Sequence, residues 1–309
     1  MWYLLTPVLA GILLGAFGAL ALRLHGRGAG ARLDRRSAVL TLAAAGVPSL
    51  LVIALRVIAV SAFSAGFPRA FPWELHGAVR YVLPLVLGIV MILVLAVPAR
   101  RTGSPSASLT RRTWTSFLSP ARMAVGASVL CAVLAITVAA GLASSADEDG
   151  HRSLYLVELG TASMATTFYG WHFSIAPLLC LAALTASAVG AWSAIARPPH
   201  PEDHAQDVAA RRLRSANVAR AATGAMLLHL STVLVSLHGT AISSLTVHAE
   251  SGEFFRSGVP FASLASALQG GAMLAEAIGL GLWVLVVLSA VGRSALPVRR
   301  SPSTTGVTA

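Results

Sequence analysis

Seven stretches of about 20 residues or more, almost free of charged side chains, recur along this 309-residue chain. Each is long enough to cross the ~30 Å hydrocarbon layer of a bilayer as a helix. They run over about 3–22, 37–63, 79–98, 123–144, 173–196, 221–243 and 262–291. In lipid only a helix or a closed barrel satisfies its own backbone hydrogen bonds, and runs of this length select the helix. Composition agrees: 56% of residues are hydrophobic and 11% charged, where soluble domains carry about 25% charged residues. A mean hydropathy of +0.74 leaves too little polar surface to cover one soluble core. The expected fold is therefore all-α, a polytopic transmembrane helical bundle of about seven spans. A single domain over 1–292 is expected to precede a disordered cytoplasmic tail over 293–309. The first span follows Met1-Trp2-Tyr3, which has no basic residue ahead of the apolar run, so it is read as a retained span and not as a signal peptide.

Orientation follows from the arginines. Segments 23–36, 99–122, 197–220 and 292–309 hold 18 of them, the alternate segments hold four (Arg69, Arg80, Arg152 and Arg256), and Arg56 lies inside a span. Basic residues accumulate on the cytoplasmic side, so the N-terminus is expected outside and the C-terminus in the cytoplasm. Asp147, Glu148, Asp149, Glu158, Glu250 and Glu253 then fall outside. Aromatic residues Trp2, Tyr3, Trp73, Tyr81, Tyr155, Tyr169 and Trp171 line the outer interface, where amphipathic rings are favoured. Pro7, Pro84, Pro177 and Pro260 stand at or near the first turn of each span entering from outside, where a missing N–H costs little.

Every one of the 23 basic residues is arginine. That usage fits a GC-rich genome and a bacterial plasma membrane. It also excludes retinal chemistry, because the Schiff base there needs a lysine amine. The net charge of +11 is scattered over four loops without interleaved aromatics. It suits anionic lipid rather than nucleic acid. Cys131 and Cys180 lie in different apolar spans and behave as small hydrophobes. A weak likeness between Tyr3-Leu4-Leu5-Thr6-Pro7-Val8-Leu9 and Phe173-Ser174-Ile175-Ala176-Pro177-Leu178-Leu179 raises a parallel triple-helix repeat, against chance resemblance of apolar helices.

Ionisable groups inside spans are costly and mark candidate sites. Arg56 follows Pro48, a mid-span proline expected to kink the second helix; it either serves a pathway or snorkels outward. His229 shares a helix face with Thr232, Ser236, Thr240 and Ser243, a polar stripe that must face protein or water. Glu276 lies near the middle of the last span with Gln269 seven residues earlier. It is either a substrate, ion or coupling residue, or a structural partner of Arg56 or His229. Gly270, Gly271, Gly279, Gly281 and the Gly11-x-x-x-Gly15 pattern permit close helix approach.

His76, His172 and His238 fall near the outer interface and form the alternative set for haem or a metal; the first expectation is no cofactor. His200 and His204 flank Pro201, which prevents a regular helix between them. Segment 205–220 reads as a basic helix resting on lipid, or docking a cytoplasmic partner such as an ATPase subunit. No Gly-x-Ser-x-Gly, His-Glu-x-x-His, P-loop or dinucleotide fingerprint occurs, so an enzyme is disfavoured. The leading expectation is a transport-type component, a small permease or the membrane partner of an ABC-type system. A haem- or metal-binding redox protein and a non-enzymatic receptor or assembly factor are the alternatives.

Overall fold

The computed structural model describes residues 5–24, 35–64, 77, 79–97, 113, 115–159, 162–197, 204–248 and 254–291. Among them, α1 (Thr6–Leu24), α2 (Arg35–Ser64), α3 (Leu83–Ala96) and α4 (Pro120–Ala143) precede a small sheet. That sheet comprises β1 (Ser145–Ala146), β2 (Arg152–Leu159) and β3 (Ala162–Thr167). Then come α5 (Trp171–Ala196), α6 (His204–Ala241), a hairpin of β4 (Ser244–His248) and β5 (Phe254–Gly258), a 3-10 turn at Ala262–Leu264, and α7 (Ala265–Val291). Six of the helices are long and apolar enough to cross a membrane. The chain is a multi-pass helical bundle. The tail expected over 293–309 lies outside the described residues.

Local sequence explains several helix ends. Pro84 stands in the first turn of α3 and Pro120 in that of α4. Val97 leaves helical geometry with φ −53° and ψ 126° because Pro98 follows it and disfavours the α region. Those two boundaries hold α3 to 14 residues, about 21 Å of rise, where a full crossing was expected over 79–98. Pro177 does not stand in a first turn: α5 begins six residues earlier at Trp171, placing this proline inside the helix. Likewise α2 runs through Pro48 without a break. Gly170 stands at the N-cap of α5, and only glycine fits there, since a Cβ would lie 2.3 Å from the Arg152 carbonyl oxygen and 2.5 Å from Ser144 Cβ.

α6 is the axis of the bundle. It packs against α3, α4, α5 and α7, while α7 also carries α1 and α2. At 38 residues it rises about 57 Å, well beyond one hydrocarbon thickness. Its core contacts include Val218, Ala221, Ala225 and Leu228, packed with Leu85, Leu184 and the fully buried Trp283. The Trp283 indole donates to the Ala221 carbonyl at 3.1 Å. Glycines permit the close approaches: a Cβ added at Gly281 would stand 3.1 Å from the Gly11 carbonyl oxygen, and one at Gly279 3.0 Å from that of Gly224. Gly270 has nothing within 4 Å and creates no such contact. The outward face is apolar instead of polar, with Phe17 65%, Leu142 71%, Leu179 69% and Leu274 65% exposed, as lipid-facing helices require.

The sheets were not anticipated by the all-helical expectation. β1, β2 and β3 pair antiparallel in that order, with Leu154 opposite Thr167 and Leu159 opposite Ala162. β4 and β5 form a second antiparallel pair, Ser244 opposite Gly258. The first sheet meets the end of α6 where the Thr240 hydroxyl donates to the Thr167 carbonyl at 3.4 Å, and Tyr155 packs tilted on Phe168 at 5.2 Å and edge-on to Phe261 at 5.3 Å.

Candidate functional site

Between α2, α3, α6 and α7 lies a cavity of about 360 Å³. On α2 it is lined by Val52, Leu55, Arg56 and Ala59, and on α6 by Leu228, Ser231, Thr232 and Val235. Both sets follow i, i+3, i+4, i+7, so each helix offers one continuous stripe. Val79, Arg80, Leu83 and Pro84 supply the third wall and Glu276 the fourth. The site is an apolar chamber with charge at a few points, the usual character of a small-molecule site.

The central feature is an ion pair. Arg56 Nε lies 3.3 Å from Glu276 Oε1, and Arg56 Nη2 donates to Oε2 at 3.4 Å. The Nε–H does not align on any acceptor, so at that atom the contact is coulombic rather than a hydrogen bond. The Arg56 side chain is 32% exposed and the Glu276 side chain 11%. Arg56 stands eight residues before the end of α2, and Glu276 eleven after the start of α7. At 1.5 Å per residue these are depths of about 12 and 16 Å, which explains how residues 220 positions apart meet. Arg56 is therefore a partner of Glu276, and Glu276 is held by a charge in place of standing alone.

Two wall residues escape sequence reasoning. Arg80 lies just before α3 and lines the same cavity; its guanidinium sits 4.5 Å from the Tyr81 ring centroid and donates to the Tyr81 hydroxyl. Its Nε is buried without a partner among the described residues. Counting loop arginines for orientation conceals such a residue, and only the proximity of Pro84 hints that it sits at a helix mouth. Ser231 is buried between two residues of the expected polar stripe.

The other candidates are dispersed. His229 is fully buried but does not line the cavity: its Nδ1 donates to the Tyr81 carbonyl at 2.7 Å. Its ring lies 6.3 Å from Tyr169, which stacks on Tyr81 at 4.8 Å. Thr232 faces the cavity and returns its hydroxyl to the His229 carbonyl at 2.6 Å. Thr240 and Ser243 likewise bond carbonyls one turn earlier, so most of the stripe is satisfied within α6 itself. Gln269 is exposed on α7 and does not reach Glu276's cavity.

Of the three histidines proposed for haem or metal, His76 lies outside the described residues. His238 Nδ1 is engaged with the Ala265 carbonyl at 3.0 Å. His172 is exposed and stacks on His151 at 4.4 Å. Among the described residues neither joins a three-residue ligand cluster; one such cluster is Asp147, Asp149 and His151. There Asp147 already accepts bonds from the Asp149 and His151 amides and the Ser153 hydroxyl. The Ser153 hydroxyl foremost holds the Asp147 carboxyl below its ordinary range.

Within 205–220, Arg211, Leu213 and residues 215–220 are buried, while Ala205 and Arg212 are exposed. Arg211 is buried, ion-pairs with Asp207 at 2.7 Å, and donates to the Ile195 and Ala196 carbonyls at 3.0 and 3.3 Å. Arg214 donates to the Leu95 carbonyl at 3.1 Å and to that of Val97. Both arginines thus close the open C-terminal carbonyls of α5 and α3, where positive charge is favoured.

No protein family, curated protein or solved structure matches this chain.

Proposed function

We propose that the chain is a transport-type component of a bacterial plasma membrane, a small proton-coupled permease whose pathway passes the cavity between α2, α3, α6 and α7. The Arg56–Glu276 pair inside that cavity is the observation that carries this reading. A charged pair at this depth is costly in hydrocarbon and is retained where it marks a substrate or proton path. A carboxylate paired with an arginine can exchange that partner for a proton.

The arginine distribution supports seven crossings with the N-terminus outside and the C-terminus in the cytoplasm. α3 counts as a crossing in this arrangement despite its length, because only then do segments 23–36 and 99–122 share a side. The cavity then opens in the outer half of the bilayer. An ABC-type membrane subunit would instead use 205–220 to dock an ATPase. Burial of Arg211, Leu213 and Ser215 through Arg220 within the bundle leaves little of that segment free, which favours the stand-alone permease.

The test is proton uptake by proteoliposomes loaded with pyranine and placed in a pH gradient. The intact protein accelerates uptake, and Glu276→Gln returns it to the rate of empty liposomes while leaving thermal unfolding in detergent cooperative. Uptake unchanged in Glu276→Gln removes the support for this reading. Co-purification of a nucleotide-binding subunit from native membrane would favour the ABC-type version.

A further inference from the structure

Among the described residues the charges on the cavity wall do not cancel. Two guanidinium groups, Arg56 and Arg80, face one carboxylate, Glu276. Arg56 is occupied by Glu276, whereas Arg80 donates to the Tyr81 hydroxyl and lies over its ring, with no carboxylate partner among the described residues. The first turn of α3, Leu83 and Pro84, lines the same wall, so the positive end of a helix dipole adds to the field there. Opposite stand the hydroxyl-bearing residues Ser231 and Thr232, and the rest of the lining is aliphatic: Val52, Leu55, Ala59, Val79, Leu228 and Val235.

From this combination we infer that the cavity takes a single-chain anionic amphiphile, its oxyanion headgroup held by Arg80 and its chain lying along the aliphatic stripes of α2 and α6. The inference rests on the transport reading by naming the substrate class of the same site. A guanidinium matches a carboxylate or phosphate headgroup in a planar, two-point contact. The excess of one positive charge disfavours a cationic or neutral headgroup, since a neutral one would leave Arg80 without its counter-ion in an apolar wall. The volume of about 360 Å³ lies at the small end of the ~300–1,000 Å³ usual for ligand sites, which suits one chain rather than the two of a bilayer phospholipid. Val79 and Val235 are 39% and 41% exposed, so this wall is accessible from the bundle surface.

The experiment uses the whole protein in phosphatidylcholine nanodiscs, with dansyl-labelled undecanoic acid as the probe. Saturable fluorescence enhancement is expected, reversed by oleate and not by oleyl alcohol, which has the same chain without the charge. Arg80→Gln weakens binding by about tenfold or more, the loss of a charge-assisted contact. Glu276→Gln binds as well as the native chain or better, because it frees Arg56. Val235→Trp, a change at a half-exposed position, fills the cavity and removes binding, and it serves if Arg80→Gln fails to fold. Absence of saturable binding, equal displacement by oleyl alcohol, or unchanged affinity in Arg80→Gln would overturn the inference. Proton uptake that is sensitive to Glu276→Gln without probe binding defeats the ligand assignment alone. Probe binding without such uptake defeats the transport reading alone.

Discussion

A methyl group added at Gly88 would stand 2.4 Å from Ala225 Cβ and 3.2 Å from Leu184 Cδ1, so α3 can approach α6 only because residue 88 has no side chain. Gly88→Ala should force the helices apart and cost about 1–3 kcal/mol, seen as a lower unfolding temperature in detergent. Gly190→Ala, with nothing within 4 Å, should leave that temperature unchanged. The outer turn carries a pH-dependent contribution at Asp147. Hydrogen bonds from Ser153 and from the amides of His151 and Asp149 depress its carboxyl, so the group stabilises the fold above its unfolded value of ~3.9. That contribution disappears as pH falls through the lower folded value. The stability difference between the native chain and Asp147→Asn should therefore be present near neutrality and fade below about pH 4. A difference that stayed constant down to acid would show that the carboxylate charge is irrelevant there. Individual site residues were only partly legible. Arg56 and Glu276 stood out because charge in an apolar run is expensive, yet their pairing needed the packing of α2 on α7. Arg80 was hidden by its position beside a loop.

Among the elements, the long apolar helices were readable because twenty uncharged residues admit few alternatives in lipid. Others were not, for definite reasons. The length of α3 depended on two prolines whose effects hydropathy ignores. The strands over 152–167 carry a weak alternation and a turn at Gly150, with φ 79°, yet they sit in a stretch too short and polar to register beside the spans. The basic start of α6 reads as a helix resting on lipid because composition shows charge and not the neighbours that receive it. Arg211 and Asp207 are 5% and 18% exposed as side chains, and the arginine also serves two carbonyls at the end of α5. Arg211→Ala should cost about 2–3 kcal/mol, since charge-assisted bonds are lost and partners are left unpaired. Arg212→Ala, on the exposed side of the same turn, should cost almost nothing. Equal effects in a thermal unfolding series would mean that the helix-end contacts do not hold α5 to α6.

For the whole molecule, α6 and α7 form the central packed pair, and α1 and α2 join the bundle chiefly through α7. The Arg56–Glu276 pair is a polar link between α2 and α7, and it lies on the wall of the cavity. The proposed function depends on that link existing in the bilayer. A double-mutant cycle of Arg56→Gln and Glu276→Gln, followed by thermal unfolding in nanodiscs, measures it directly. The two single variants should each be destabilised, and the double variant should lose less than their sum, giving a coupling of about 1–2 kcal/mol. Strict additivity would contradict the pairing and remove the site on which the account stands.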